Sequence, residues 1–160
     1  MGLEPILPRF LTELREITTK YGVVLIFDEV VTGFRISDGG AQDYYGVTPD
    51  LTTLAKILGG GLPGGAVCGK AEIINMIEPR DDPDFNKNRR IAHNGTFNAN
   101  PLSASSGIKA LEILKRDPIN QRAIEMGSLL KTSQNDVLSR QEVLSLIHIC
   151  RCRRIERCRS

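Results

Sequence analysis

The sequence predicts an α/β fold. Periodic helical patterns alternate with short apolar runs, and glycine-rich loops separate them. Apolar residues make up 41% and charged residues 25% of the 160 residues, a composition that excludes a wholly disordered chain. The longest purely apolar run, residues 23–27, is too short to span a bilayer, and no secretory signal pattern opens the chain. We therefore expect no membrane partner.

The first two predicted elements are a helix and a strand. Residues 8–21 carry an apolar stripe at helical spacing, and Gly22 follows as a C-terminal cap. The stripe consists of Phe10, Leu11, Leu14, Ile17 and Tyr21. The continuous apolar run Val23–Phe27 predicts a strand buried on both faces, which is typical of a parallel sheet. Asp28 and Glu29 end this run abruptly.

The middle of the chain is rich in glycine. Residues 32–50 are predicted to form a loop that includes one turn of helix, and Leu51–Leu54 is a short apolar stretch. Five glycines among the seven residues Gly59–Gly65 exclude a regular element there. The pattern then predicts a short strand at Ala66–Gly69 and a short helix at Ala71–Ile77.

The C-terminal part of the native sequence is predicted to be helical. Residues 79–94 are polar and lack periodicity, so we expect a surface loop. Asn100 followed by Pro101 is a helix-start signature, and that helix is predicted to run to about Lys115. A second helical pattern extends from Pro118 to about Arg140.

The last 17 residues differ in composition from the rest. Residues 144–160 contain five of the 21 basic and one of the 19 acidic residues, so the preceding 143 residues carry 16 basic and 18 acidic groups, a net charge of −2. Three of the four cysteines, Cys150, Cys152 and Cys158, also lie there. A zinc or nucleic-acid module is an alternative with little support, because no fourth ligand stands at standard spacing.

This segment also resembles the conceptual translation of a sequencing adapter. We therefore expect the native sequence to end near Val143 and residues 144–160 to be a non-native tail. With the tail set aside, nothing indicates a nucleic-acid partner. The single remaining cysteine, Cys68, is what a reducing cytoplasm favours.

Two charged residues are candidates for chemistry. Asp28 lies just beyond the carboxyl end of a predicted strand, where α/β sheets place their ligands, although a helix cap or a salt bridge is the alternative. Lys56 lies between an apolar stretch and the glycine loop. We expect its amine to be partly desolvated, which favours the neutral form that a Schiff-base lysine needs. The alternative is an ordinary surface lysine.

Two further segments suggest phosphate binding. The Gly95 amide and the Thr96 hydroxyl precede a capped helix and can bind a phosphate oxygen, with plain turn chemistry as the alternative. Residues Gly64–Lys70 match the glycine and lysine spacing of a P-loop. Ala71 breaks that match, because a P-loop needs Ser or Thr at this position to reach magnesium.

Four ordered motifs together resemble the class III aminotransferases, which are fold-type I enzymes that use pyridoxal phosphate. The motifs are Asp28–Arg35, Pro49–Lys56, the glycine loop ending in Leu62-Pro63, and Gly95–Pro101. Within that family the sequence is most similar to the glutamate-1-semialdehyde 2,1-aminomutases and their relatives, because of Gly39–Gln42 and Gly46–Lys56. The resemblance covers roughly residues 5–140.

The resemblance implies a role for each candidate. Asp28 would pair with the pyridine nitrogen of the cofactor, and Val30 would pack on one face of its ring. Lys56 would form the Schiff base and then move the substrate's α-proton as general base and acid. Gly95 and Thr96 would bind the cofactor phosphate from the neighbouring subunit, which implies a homodimer.

The resemblance also implies how much of such an enzyme is present. Residues 1–143 would be part of the large domain, a mostly parallel sheet flanked by helices, without its N-terminal part and without the C-terminal small domain. The implied activity is that of an aminotransferase or aminomutase acting on a small amino acid or amino-aldehyde in the cytoplasm. A catalytically incompetent fragment is the alternative, and Asn98-Ala99 departs from the aminomutase pattern.

Overall fold

The computed structural model describes residue 7 and residues 9–140. The chain divides into two compact units, Met1–Asp117 and Pro118–Ser160. Residues 144–160, with their three cysteines and His148, lie outside the described residues, so the predicted non-native tail stays a prediction. None of the described helices combines the length and the hydropathy needed to cross a membrane.

The described part of the first unit contains helices and strands in alternation. The helices are Phe10–Lys20 (α1), Gly40–Tyr45 (α2), Ala71–Ile74 (α3) and Pro101–Arg116 (α4). The strands are Ile26–Asp28 (β1), Leu51–Ala55 (β2) and Gly65–Gly69 (β3). A 3-10 turn, Lys56–Gly59, follows β2, and a π-helical turn spans Phe85–Arg89. In the second unit, helix α5 spans Ile119–Arg140.

The three strands form one mixed sheet in the order β1-β2-β3. Strand β1 runs parallel to β2, with Asp28 opposite Thr53, whereas β3 runs antiparallel to β2. The α/β class is confirmed. The parallel pair brings the carboxyl ends of β1 and β2 to the same edge of the sheet, which we call the carboxyl edge.

Local signals placed several elements correctly. The predicted helix start at Asn100 is confirmed, since its Oδ1 accepts hydrogen bonds from the main-chain N–H groups of Leu102 and Ser103 at 3.0 and 3.3 Å. At the end of α1, Gly22 takes a left-handed φ of 62°, and the N–H of Val23 donates to the Thr18 carbonyl at 2.8 Å.

The prediction of a first strand buried on both faces is wrong. Strand β1 contains only Ile26–Asp28, and the Ile26 side chain is 53% exposed. Val23 and Val24 precede the strand and are also exposed. The reason is the position of β1 at the edge of the sheet: among the described residues it is hydrogen-bonded to β2 alone, and no described element covers these side chains.

The predicted surface loop at residues 79–94 contains a buried anchor. Phe85 is only 2% exposed, and the Arg80 guanidinium lies over its ring at 4.0 Å from the centroid. With Leu25 and Val47, it forms the buried hydrophobic core of the described part of the chain. The loop prediction missed this anchor because a lone phenylalanine among polar residues has no periodicity to reveal it.

Asp50 joins the three strands at the opposite, amino edge of the sheet. Its side chain is nearly buried. Oδ2 accepts hydrogen bonds from the main-chain N–H of Leu25 at 2.7 Å and from the Arg15 guanidinium at 3.0 Å. Oδ1 forms an ion pair with Lys70 at 2.8 Å. Arg15 and Thr18 of α1 therefore face the sheet, whereas Ile17 of the predicted apolar stripe is exposed. These bonds tie α1, the start of β1 and the end of β3 to β2.

These donors also hold the pKa of the Asp50 carboxyl far below its ordinary value of 3.8. The main-chain N–H of Leu25 contributes most and the Lys70 bond next; burial opposes them, and Arg15 lowers the pKa further. A carboxyl whose pKa is lower in the folded state stabilises the fold fully above its unfolded pKa. That stability is lost as the pH falls through 3.8 towards the folded value.

We expect Asp50→Ala to cost about 3 kcal/mol of unfolding free energy at neutral pH, because it leaves the Leu25 N–H and the Arg15 guanidinium without their acceptor. The cost should shrink as the pH falls through 3.8, because the unfolded wild-type chain then gains a proton on this carboxyl while the folded chain still holds it ionised. Urea unfolding of both chains across this range measures it. Asp81→Asn, at an exposed loop carboxylate, is the control. A cost that does not change with pH would contradict the prediction.

Candidate functional site

Asp28 ends β1 at the carboxyl edge of the sheet. Its Oδ1 accepts two hydrogen bonds, from the Val30 main-chain N–H and from the Thr53 hydroxyl, both at 3.1 Å. Its Oδ2 accepts none from the residues that the structure describes, and the side chain is exposed. One carboxylate oxygen is thus fixed by the protein while the other is open to a ligand.

Lys56 lies at the same edge, immediately after the last residue of β2. Its φ of 51° is in the left-handed region, which costs an L-residue roughly 1 kcal/mol, and such backbone strain concentrates at functional sites. The side chain is exposed, so the expected desolvation is wrong for this chain: the apolar residues beside it in sequence do not cover it. Among the described residues, no carboxylate forms an ion pair with its amine.

Helix α4 packs directly on the turn that begins with Lys56. The Ser106 hydroxyl donates to the Gly60 carbonyl at 2.9 Å, and the Ser103 hydroxyl donates to the Pro63 carbonyl at 2.7 Å. A side chain at Gly107 would overlap the carbonyl oxygen of Leu58. The glycines therefore allow backbone-to-backbone contact, and α4 holds the polypeptide just after Lys56 in place.

We expect Gly107→Ala to destabilise the chain by about 1–3 kcal/mol, although alanine is the better helix former, because the added methyl group forces α4 away from Leu58. Gly127→Ala is the matched control: it lies within α5, where nothing stands within 4 Å of the new methyl, so it should stabilise by about 0.5–1 kcal/mol. Thermal or urea unfolding measures both. Equal shifts of the same sign would contradict the close contact.

The other predicted site residues occupy two places. Val30 is half-buried and lies two residues after Asp28, whose carboxylate accepts its N–H. Gly95 and Thr96 lie in an exposed turn before α4, closed by a bond from the Asn98 N–H to the Gly95 carbonyl at 3.0 Å. The structure thus groups Asp28, Val30 and Lys56 at the carboxyl edge and places Gly95 and Thr96 in a separate segment.

The P-loop alternative is not supported by the structure. Residues Gly65–Gly69 form strand β3, paired with β2 along its whole length, and so cannot wrap a phosphate. Lys70 instead forms an ion pair with Asp50 at the amino edge. Within residue 7 and residues 9–140, no group of three or more His, Cys, Asp or Glu side chains is arranged to hold a metal ion.

Two cavities flank the sheet without including the candidate chemistry. One of about 800 Å³ lies at the amino edge and is lined by Asp50, Arg15 and Lys70 among others. Another, of about 540 Å³, lies between the glycine loop and the start of α4, with His93 and Phe97 in its lining. Neither Asp28 nor Lys56 lines either cavity. The candidate site is an open edge in this chain.

Sequence reasoning gave no role to Glu29, which is buried beside Asp28. Its carboxylate accepts hydrogen bonds from Thr32, Ala41 and Gln42. No local pattern links positions 29 and 42, so the sequence held no direct signal for this contact. The nearby glycine pair Gly39-Gly40 was the only indirect sign that backbone approaches closely here.

Comparisons with known proteins agree on one family. The model of "Aminotransferase class-III" matches residues 1–149. A glutamate-1-semialdehyde 2,1-aminomutase from Methanococcoides burtonii is 44% identical over 140 residues, which cover 86% of this chain and 31% of that protein.

Two solved structures are similar in fold. An omega-transaminase from Sphaerobacter thermophilus superposes with a TM-score of 0.74 at 45% identity, over 87% of this chain and 30% of that one. A transaminase with PLP bound superposes with a TM-score of 0.74 at 33% identity, over 88% of this chain and 32% of that one. The chain spans about a third of the length of each of these proteins.

Proposed function

This chain belongs to the class III aminotransferases, and from that premise we propose that it carries part of the active site of a pyridoxal-phosphate-dependent aminotransferase or aminomutase. One observation carries the proposal: Asp28 and Lys56 lie at the ends of two neighbouring parallel strands. A carboxylate and an amine at the carboxyl edge of an α/β sheet are the two groups that this chemistry needs.

The residues present fit this cofactor. The free Oδ2 of Asp28 is an acceptor for a protonated ring nitrogen, while Thr53 and Val30 hold Oδ1. The Lys56 amine is exposed and is bound by no carboxylate in the described part of the chain. When bound, pyridoxal phosphate supplies an electron-poor ring that takes up the electrons left when the substrate's α-proton departs.

Each side chain would then have a distinct task. Asp28 would hold the ring nitrogen protonated, because a fixed anion there favours the charged form. Val30 would supply an apolar surface for one ring face. Lys56 would hold the cofactor covalently and, once displaced by the substrate amine, would accept the α-proton at Nζ and donate it again as general acid.

Gly95 and Thr96 complete the proposal as phosphate ligands. The Thr96 hydroxyl makes no hydrogen bond with the described residues, and its turn is exposed. The resemblance to the family implies that this turn lies at the site of a neighbouring subunit, and on that ground we propose a homodimer. The substrate is a small-molecule amine, in keeping with the family.

The family match also indicates which part of a longer enzyme this chain represents. We propose that residues 1–143 are part of the large domain of a longer cytoplasmic enzyme and that residues 144–160 are not native. The match to about a third of each relative supports the first part. The coding DNA tests the second: codons in residues 144–160 that differ from an adapter sequence would contradict it.

Both activities within the family have comparable support. The aminomutase from M. burtonii is 44% identical and the omega-transaminase from S. thermophilus 45% identical to this chain. We propose that the enzyme is aminomutase-like, although Asn98-Ala99 departs from the aminomutase pattern. A screen of amino donors with the full-length enzyme separates the two, since a transaminase turns over with an external donor and acceptor pair.

Borohydride reduction tests the central assignment. The full-length enzyme is loaded with pyridoxal phosphate, reduced and digested, and the labelled peptide is identified by mass spectrometry. We expect the cofactor on the peptide that contains Lys56. A label on Lys70, or on no lysine, would overturn the proposal; Lys70 is a fair competitor because its amine is half-exposed and only 14 residues away in sequence.

A further inference from the structure

Glu29 is the most deeply buried side chain of the described residues, at 1% exposure. Its carboxylate accepts four hydrogen bonds, all from uncharged donors. Oε2 accepts from the Thr32 hydroxyl at 3.0 Å and from the Ala41 N–H at 2.5 Å. Oε1 accepts from the Gln42 N–H at 3.0 Å and from its side-chain amide at 3.3 Å. Within the described part of the chain no cation pairs with it.

The surrounding backbone leaves room for this carboxylate and for little else. Gly40 takes a φ of 74°, and a Cβ atom there would overlap the Glu29 carboxylate. A Cβ at Gly33 would stand 2.7 Å from the Glu29 carbonyl oxygen, which itself accepts the Gly33 N–H at 2.8 Å. Gly40 thus makes room for the Glu29 carboxylate, and Gly33 makes room for its main-chain carbonyl.

The contacts of Glu29 converge on the strand end that carries Asp28. Its own N–H donates to the Thr53 carbonyl at 3.0 Å and extends the β1–β2 ladder by one residue. The Gln42 side chain bridges from Glu29 to the Thr52 hydroxyl at 3.4 Å. Thr53, the next residue along β2, donates its hydroxyl to Asp28. Glu29 thus fixes both the backbone that bears Asp28 and the strand that holds Oδ1.

We propose that Glu29 is the positioning residue for the Asp28 carboxylate: by anchoring the end of β1 to α2 and β2, it sets the direction in which Oδ2 faces the cofactor ring. This inference rests on the proposed function. A loose Asp28 would still be an anion, but its bond to the ring nitrogen would be longer and less aligned.

The test uses the full-length holoenzyme with Glu29→Gln. An NH₂ group then replaces one acceptor oxygen and faces either the two N–H donors of Gln42 or the Thr32 hydroxyl with the Ala41 N–H. Two readouts are recorded: cofactor dissociation by equilibrium dialysis, and the absorption spectrum of the bound cofactor against pH. We expect about tenfold weaker cofactor binding and a shifted spectral titration. Glu112→Gln, at an exposed acid of α4, is the control and should change neither.

A double variant separates positioning from stability. In an Asp28→Asn background, Glu29→Gln should add nothing to the spectral change, because Glu29 acts through Asp28. An equal added shift, or a fall in melting temperature with an unchanged spectrum, would overturn the proposal. If Asp28→Asn alone leaves the spectrum unchanged, the proposed function fails instead.

A milder variant covers the case in which Glu29→Gln does not fold. Thr32→Val removes one of the four donors and keeps the shape of the side chain. We expect a spectral shift in the same direction and of smaller size, again absent in the Asp28→Asn background. Wild-type spectra for Thr32→Val in a folded holoenzyme would contradict the proposal.

Discussion

Lys56→Ala is expected to abolish turnover of the full-length enzyme, with a fall in kcat/KM of about 10⁴-fold, because the variant loses both the covalent attachment and the proton shuttle. The protein should fold as before. Alanine has a Cβ just as lysine does, so the strain at φ 51° is unchanged, and the Lys56 side chain makes no ion pair with the described residues.

Lys109→Ala is the matched control, since Lys109 is an exposed lysine whose ion pair within the described residues is with Glu112 on the surface of α4. It should retain wild-type kinetics. Added primary amine should restore part of the lost turnover to Lys56→Ala, because a free amine can carry the proton. Turnover of Lys56→Ala within tenfold of wild type would place the chemistry elsewhere.

Asp28→Asn is expected to lower kcat/KM by about 10³-fold, because a neutral amide no longer stabilises the protonated ring nitrogen. Folding should be nearly untouched, within about 0.5 kcal/mol, because Asp28 is exposed and the amide oxygen of asparagine still accepts from Thr53 and Val30. Steady-state kinetics and urea unfolding on the same preparation measure the two effects.

Thr53→Val is expected to have a smaller effect on activity than Asp28→Asn. It removes the hydroxyl that holds Oδ1 of Asp28 and leaves the charge in place, so activity should fall by about tenfold. An Asp28→Asn enzyme that loses activity only in proportion to its stability would show that the carboxylate serves the fold and not the cofactor.

The sequence predicted the helix ends that are stabilised by hydrogen bonds to residues nearby in the chain. The Asn100 cap and the glycine after α1 are satisfied by atoms a few residues away, so their positions follow from the sequence. The apolar run before Asp28 likewise predicted a parallel strand, and β1 is parallel to β2. Asp28 and Lys56 were candidates from their positions after apolar stretches, and the family resemblance gave them roles. The parallel pairing of β1 and β2 explains why they share an edge.

Long-range contacts and burial were not predictable in the same way. Glu29 bonds to residues 12 and 13 positions away, and Asp50 accepts the N–H of Leu25. Such pairings depend on the register between strands and on where loops return, which no spacing in one sequence records. The exposure of Ile26 and of Lys56 depends on what covers them, and an apolar neighbourhood in sequence is not a covering surface.

The left-handed backbone conformation at Lys56 lowers the stability of the fold at the residue proposed to carry the chemistry. Glycine at this position would relieve roughly 1 kcal/mol of strain, whereas any side chain with a Cβ retains it. Lys56→Gly should therefore melt at a higher temperature than Lys56→Ala and be equally inactive. The most stable version of this turn lacks the lysine amine, so selection for stability alone would remove the residue proposed to form the Schiff base.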